Sequence, residues 1–414
     1  MSRICYSGTH NIFKSTYHTG AGSETMLKLL LAVTMILLGI NGGYQVTFTG
    51  EDLPPIKDIS LCASSTNIYL AYSPPDTKGI TVVQLDSELN KVRALEIDDM
   101  TSPCVKWYDD VVYLAGIKGE AVIIRVYTDQ LEQVSEFVIA AEEPVDVYIL
   151  PCEEGIFLSY VHRFLEDDLL HQDVFVEKFD FSFTEINSAR LTSWDFWEES
   201  CLAVIDGNIV VAYSYYPLSA FMSRYVMVSV LDSDLNKIAE ITYPKDLSIS
   251  DETPLGRNVV EPDLCIVDSQ VVLLFRITDQ NFSATKLTWE GTVIVVPGNI
   301  HAVVLNEDLS IDREVNLTED YREHFGPCTA YEGDQIYFAQ SVKDGSTTTV
   351  EVVSAPTLEE LKLALEPPPS GISVYWILGL GAGIALLIGL ILWVRKRKRS
   401  SRKSREKTRT KKGG

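Results

Sequence analysis

Apolar residues fall along this chain in short, aromatic-rich blocks that recur at intervals. The blocks read IYLAY (68–72), VYLAG (112–116), IFLSY (156–160), IVVAY (209–213), VVLLF (271–275) and IYFAQ (336–340). Each is preceded by a cysteine: Cys62, Cys104, Cys152, Cys201, Cys265 and Cys328 stand 6, 8, 4, 8, 6 and 8 residues upstream, a spread that one short turn of variable length would absorb. A second apolar run follows each block, then a polar turn and a closing run of period two. The clearest turns are LDSELNK (85–91) and LDSDLNK (231–237), with looser versions at 128–133, 180–185 and 306–310. Uninterrupted apolar runs predict strands buried on both faces, and alternation predicts a half-exposed strand at an edge. The chain therefore states one four-stranded unit six times, and such a unit cannot bury its faces alone.

Calling the strands of each unit A to D, with the cysteine on A, the spacing predicts six cysteines at equivalent positions on the inner strands. Antiparallel neighbours put the A–B and C–D turns on one face of the assembly and the B–C and D–A connections on the other. The first set is tight. The long segments (161–172, 193–200, 214–223, 244–262 and 277–298) all belong to the second, and loops extended from a rigid scaffold are where binding sites concentrate. YQVTFT (44–49) alternates like a strand but has no unit of its own, so it is expected to supply the outer strand of the last unit and close the ring without an exposed edge. Residues 357–366 admit two readings. They align with a D strand, yet Thr357 with Glu360 forms a capping-box pair ahead of strong helix formers, and the closure by 44–49 favours the helix.

This strand order and turn placement resemble the β-propeller superfamily over residues 44–366. The resemblance implies an all-β, six-bladed propeller of four-stranded antiparallel blades with one elaborated face. No WD, kelch Gly-Gly or Asp-box signature accompanies it, so no family activity follows.

The flanking segments set an expected topology. Residues 27–40 form a short apolar run behind Lys28, like a secretory signal whose start is Met26, within a leader of 1–43. Residues 367–373 form a Pro-rich hinge, and 374–394 are 21 residues without a charge, followed at once by RKRKR. That is the length and flank of a single membrane-spanning helix followed by a basic cytoplasmic tail (395–414), with the propeller outside the cell. Gly379 and Gly383 form a GxxxG pair that could bring two such helices together. The tail carries 12 basic residues and suits anionic lipid. By contrast, residues 44–394 hold 20 basic and 56 acidic residues, a net of −36 that disfavours nucleic acid.

Candidate chemistry is sparse. The six cysteines can be buried thiols, disulfides between neighbouring blades, or a thiolate metal site. His162, Glu166, Asp167, Asp168 and His171 lie in one predicted excursion, and Trp194, Trp197, Tyr215 and Tyr216 bring aromatics to the same face, where they could stack a sugar or clamp a peptide. His301 and His324 stand alone and read as structural. Asn281 and Asn316 begin glycosylation sequons. No G-x-S-x-G, HExxH, phosphate loop or EF-hand is present, so neither catalytic residues nor a cofactor or metal is indicated. The sequence points first to a membrane-anchored binding or adhesion module presenting a propeller to an extracellular protein or glycan. Alternatives are a surface glycan hydrolase or lyase with carboxylates gathered over the channel, and a structural component of the cell envelope.

Overall fold

A computed structural model describes residues 43–50, 55–56, 58–75, 77–140, 143–166, 169–193, 196–216, 225–243, 257–279, 298–306, 308–319 and 322–366. They form a six-bladed β-propeller. Blade 1 is β2 (Ile59–Ala63), β3 (Asn67–Tyr72), β4 (Gly79–Asp86) and β5 (Lys91–Asp98). Blade 2 is β6 (Thr101–Tyr108), β7 (Val111–Lys118), β8 (Ala121–Thr128) and β9 (Gln133–Ala140). Blade 3 comprises β10 (Pro144–Cys152), β11 (Gly155–Glu166), β12 (Leu169–Phe179) and β13 (Glu185–Arg190). Blade 4 comprises β14 (Phe196–Ile205), β15 (Asn208–Tyr216), β16 (Tyr225–Leu231) and β17 (Lys237–Tyr243). Blade 5 has β18 (Arg257–Val267), β19 (Gln270–Asp279), β20 (Gly298–Leu305) and β21 (Ile311–Asn316). Blade 6 takes β22 (Glu323–Glu332), β23 (Gln335–Asp344) and β24 (Thr347–Ala355) from the end of the domain and β1 (Tyr44–Thr49) from its start.

Each inner strand packs against that of the next blade, and β22 returns to β2. Burial follows the predicted pattern: the A to C strands are mostly buried, whereas outer strands such as β5 and β21 expose most positions. Blades 3 and 4 are further joined by a parallel bridge between Gln172 and Phe196.

The C–D turns explain the LDSELNK phrase. Asp86 accepts the backbone N–H groups of Glu88 and Asn90 at 2.9 and 2.8 Å, and Asp180 and Asp232 repeat the arrangement. The Ser182 hydroxyl, with the Thr184 N–H, holds the Asp180 carboxyl below its ordinary range, and the backbone and side-chain amides of Asn236 do the same for Asp232. The fourth residue of each turn, Leu89, Leu131, Phe183, Leu235 or Leu309, adopts a positive φ of 57–63°. A branched or bulky side chain there is strained, and the strain is offset by packing: all four leucines are buried, and Phe183 lies against the core. Leu89 enters the core between blades 6 and 1, and Leu131 that between blades 1 and 2.

Blade 6 cannot make such a turn, because its C and D strands come from opposite ends of the domain. β1 pairs antiparallel with β24 from Tyr44–Val352 to Thr49–Thr347. The chain is then free after β24 to form helix α1 (Leu358–Leu365), whose cap Thr357 accepts the Glu360 N–H at 3.2 Å. The helical alternative is thus the one adopted. It is not a bare spacer, however. Leu358, Leu361 and Leu365 are buried in the core between blades 5 and 6, which no apolar turn residue of this kind fills among the described residues. Arg313–Glu359 and Lys362–Glu319 ion pairs flank the helix.

Two further expectations need correction. Residues 161–172 are not an irregular excursion but mostly the extended end of the β11–β12 hairpin, paired without a break from Ile156–Phe179 to Glu166–Leu169. The cysteines lie on inner strands but at three different levels, as described below. Among the described residues no helix is long and apolar enough to cross a membrane; 374–394, the leader, the Gly379–Gly383 pair and the basic tail lie outside them.

Deleting residues 44–50 exposes the apolar edge of β24 and should lower the melting temperature of the whole ring in one cooperative transition. Leu361→Ala should cost about 2–4 kcal/mol in denaturant unfolding, and slow hydrogen exchange across 361–365 should report the docked helix. Unchanged stability in both variants would show that the seam does not depend on either end of the chain.

Candidate functional site at the mouth of the channel

The register between A and B strands reveals an order that the cysteines obscure. Counted from each five-residue block, position −10 is occupied by Asp58, Ser102, Asp146, Glu199, Glu261 and Gly326 in turn. Position −8 holds Ser60, Cys104, Tyr148, Cys201, Asp263 and Cys328; position −6 holds Cys62, Lys106, Leu150, Ala203, Cys265 and Ala330. Strand pairing confirms the alignment: Cys104, Cys201 and Cys328 lie opposite Ala115, Ala212 and Ala339, whereas Cys62 and Cys265 lie opposite Tyr69 and Val272, and Cys152 opposite Gly155. The varying cysteine spacing is therefore no accommodation by turns. Because side chains alternate with period two, shifts of two residues keep each cysteine on the same face of its blade while moving it along the strand.

Position −10 lies at the end where the long connections gather. Four of its six residues are carboxylates. In blades 2 to 6 the inner strand carries a β-bulge just here, between Thr101 and Cys104, Pro144 and Asp146, Trp197 and Ser200, Val260 and Asp263, and Phe325 and Cys328. Ser102, Glu261 and Gly326 take positive φ of 51–57° and each precedes a proline. A bulge re-aims a side chain; these turn the mouth residues toward the neighbouring blade and the channel.

The result is a set of hydrogen bonds from blade to blade. Asp146 accepts the Ser200 N–H at 2.9 Å, Glu199 that of Glu261 at 2.7 Å, and Glu261 that of Gly326 at 2.8 Å. One level deeper, Ser60 accepts the Val105 N–H at 2.9 Å, and Asp263 accepts both the N–H and the hydroxyl of Thr329 at 2.8 and 3.0 Å. Glu261 also takes both arms of the buried Arg276 guanidinium, which lies over the Phe325 ring at 4.8 Å. Lys106 sits below the mouth with its ammonium 4.3 Å from the Tyr148 ring centre.

These groups line a cavity of about 90 Å³ bounded by residues of all six blades, including Asp58, Asp146, Glu199, Asp263 and Lys106. Exposure grades the carboxylates: Asp58 is exposed, Asp146 and Glu199 are half-buried, and Glu261 and Asp263 are buried. The Asp146 carboxyl is pushed up to about 7, mainly by burial and further by the charge of Asp58, against the opposing hydrogen bonds from the Ser200 and Val147 backbones. Burial also raises Asp263, although Lys106 and Thr329 oppose it. Burial works against the Lys106 charge, but Cys104 first and then the Asp263 carboxylate oppose it, and its pKa is raised. Near neutral pH the mouth thus holds one carboxyl that is only partly ionised and another that is open to solvent. A second cavity, of about 700 Å³, opens on the tight-turn face between blades 4 and 5, with Ile205, Val210, Val230 and Leu309 in its wall. It is the larger of the two, but it lies on the face opposite the carboxylates of position −10.

The residues singled out from sequence are largely elsewhere. His171 is buried and stacks on Phe164, and His162 packs beside Phe164 and Phe175, so both belong to an aromatic ladder along the blade 3 hairpin. Glu166 ends β11; Asp167, Asp168 and Trp194 lie outside the described residues. Trp197 and Tyr215 are partners in the β14–β15 backbone register, and Tyr216 follows Tyr215. The six cysteines are free thiols, five of them buried, and burial raises their pKa values, that of Cys265 to about 12. Neutral thiols are poor metal ligands, and among the described residues no three His, Cys, Asp or Glu side chains are placed to hold a metal ion. His324 is fully buried against Gln340 at 3.0 Å, and His301 stacks on Phe275. Asn316 is exposed, but its sequon hydroxyl, that of Thr318, accepts the Ile300 N–H at 2.9 Å and is buried; Asn281 lies outside the described residues.

No protein-family model matches the chain, and no curated protein sequence does. Solved structures do. An α-L-arabinofuranosidase from Fusarium graminearum, in complex with an iminosugar inhibitor, is 13% identical, with 77% of this chain and 98% of that chain covered and a TM-score of 0.51. An endo-arabinase from Bacteroides thetaiotaomicron is 11% identical over 61% of this chain and 93% of its own, with a TM-score of 0.44. A neuraminidase-like protein of A/little yellow-shouldered bat/Guatemala is 10% identical over 75% and 98%, with a TM-score of 0.45. At such identities the likeness concerns the fold alone.

Two outcomes follow from the mouth geometry. Because Asp146 binds its proton more tightly folded than unfolded, its contribution to stability is full below about pH 4 and lost as pH rises toward 7; Asp146→Asn should flatten that part of the stability profile measured by urea unfolding. Glu261→Ala removes the carboxylate paired with the buried Arg276 guanidinium and should cost about 3–5 kcal/mol, whereas Glu261→Gln should cost less. Equal losses in the two variants would mean that the ion pair is not what holds this corner.

Proposed function

We propose that this propeller is a glycan-acting enzyme, a glycoside hydrolase held at the outer face of a membrane by residues 374–394. The observation that carries this reading is the pairing of Asp146, which retains its proton to about pH 7, with the solvent-exposed Asp58 at the open end of the channel. Hydrolysis of a glycosidic bond needs two such carboxyl groups in opposite protonation states. Asp146 would donate its proton to the leaving oxygen as the C–O bond breaks, while a water molecule bonds to the anomeric carbon and gives up a proton that restores Asp146 through solvent. Asp58, open to solvent, would stand against the positive charge that develops at the anomeric carbon, and Glu199, on blade 4, would complete the acidic wall. The propeller's part is to fix these groups on strands rather than on loops, so that their spacing survives substrate binding. The reading places the enzyme alternative ahead of the binding module favoured by sequence.

One observation favours the second reading. The cavity of about 90 Å³ is too small to enclose a drug-sized ligand, so a sugar would rest over the mouth, and the same carboxylates already hold blades together. A binding module would need nothing more.

Full-length protein in detergent, offered a panel of plant, microbial and animal polysaccharides, separates the two. The hydrolase reading expects release of reducing ends. Activity should fall as pH rises past about 7, where Asp146 loses its proton. Asp146→Asn should lower kcat by about 10²–10⁴-fold with little change in KM, and Asp58→Asn should act similarly. Retention of a glycan without any release of reducing ends, unaffected by either substitution, would leave the binding module as the function.

A further inference from the structure

On the same hairpin as the strand opposite Asp146, blade 3 presents a cation with no carboxylate partner among the described residues. Asp146 lies directly opposite Val161 in the β10–β11 pairing. Arg163 is two residues further along β11, on the same face of the strand, about 7 Å toward the elaborated side. It is half-buried. Its Nε and Nη2 both donate to a single neutral acceptor, Oε1 of Gln172, at 3.3 and 3.2 Å, and Gln172 is its cross-strand partner and is buried. Its backbone N–H donates to the Glu143 carbonyl at 3.3 Å, which fixes the strand at that point.

The neighbouring cations are differently placed. Arg276 is locked to Glu261, Arg190 is paired with Asp173 and lies over the Phe164 ring, and Lys106 lies over the Tyr148 ring with the Asp263 carboxylate as its nearby negative group. Arg163 is instead oriented by an amide, which positions a guanidinium without neutralising it. A planar, always-charged fork held this way matches the geometry of a carboxylate or sulfate.

We infer that Arg163 is a specificity-determining residue of the channel mouth, which reads an anionic substituent, carboxylate or sulfate, on a glycan whose reacting bond lies at Asp146. This rests on the glycoside hydrolase reading for the position of the bond, but not for the binding itself. An anionic group there would be drawn to Arg163 past an otherwise acidic wall. The same wall would repel a polyanion with charges on every face. The class expected is therefore a glycan with isolated acidic substituents rather than a densely charged one.

The test is binding to the full-length Asp146→Asn protein, in which turnover is suppressed, by calorimetric titration. The probes are neutral galactan oligosaccharides and matched chains bearing a single galacturonate or a single sulfate ester. The expected result is tighter binding of one charged probe than of the neutral chain, weakened roughly 10- to 100-fold by Arg163→Gln. Arg163→Lys, which keeps the charge but not the fork, should retain part of the preference, and neutral binding should not change. Added salt should erode the preference. The better of the two charged probes identifies the substituent. Thermal melts of both variants separate this from a structural role: a general loss of stability would weaken all probes alike. Equal affinity for charged and neutral probes, absence of charged-probe binding, or an Arg163→Gln protein with the preference intact overturns the inference. Should the charged probe bind through Arg163 while the wild-type protein never cleaves it, the hydrolase reading fails and the anion site stands.

Discussion

Six blades can form a disc only if each inner strand is held to the next, and in this protein much of that work falls to side-chain acceptors for backbone N–H groups. Ser60, Asp146, Glu199, Glu261 and Asp263 each take an N–H from the following blade's inner strand. The inner strands cannot satisfy one another as a continuous sheet, because their ladders run outward within each blade. A buried donor left without a partner costs about 1–3 kcal/mol, so the acceptors must come from side chains. Carboxylates suit the role, since each offers several lone pairs and accepts more strongly when charged.

The same requirement concentrates acidic groups where the channel opens. Each carboxylate added there raises the cost of ionising its neighbours, and the ring meets that cost in different ways around its circumference. Arg276 pairs with Glu261; Lys106 and Thr329 support Asp263; Asp146, buried and near Asp58 with backbone donors from Ser200 and Val147, holds its proton more tightly. A structural device for joining blades thereby leaves carboxyl groups of different proton affinity side by side at a solvent-accessible mouth. Chemistry and architecture draw on the same residues, so substitutions at the mouth must be read by both stability and activity.

Closure follows a parallel logic at the opposite face. Five C–D turns each drive an apolar side chain into the body of the ring at the expense of a strained φ. Blade 6 has no such turn because its outer strand is the start of the domain, and α1 supplies Leu358, Leu361 and Leu365 in its place. The ends of the propeller are thus held by two independent contacts, strand pairing at β1 and helix packing at α1, on the side from which the chain continues toward residues 367–394.

The sequence by itself determined the number of blades, their strands, the face that carries the long connections, the closing strand and the helix cap. These are local matters: period-two alternation, turn residues and capping pairs act over a few residues and leave their mark in order along the chain. What it hid was the level of each residue along the inner strands. The cysteines offered the most visible marker, yet Cys62, Cys152 and Cys265 stand at different heights from Cys104, Cys201 and Cys328, and only strand register shows it. Once the five-residue blocks are used as the origin, the acidic column at position −10 can be read from the sequence, though not its meaning. Whether a carboxylate in that column is neutralised, exposed or kept protonated depends on partners 40 to 70 residues away on another blade, as Asp146 depends on Ser200 and Glu261 on Gly326. Burial and charge at such a point are properties of the closed ring, and only the tertiary structure decides them.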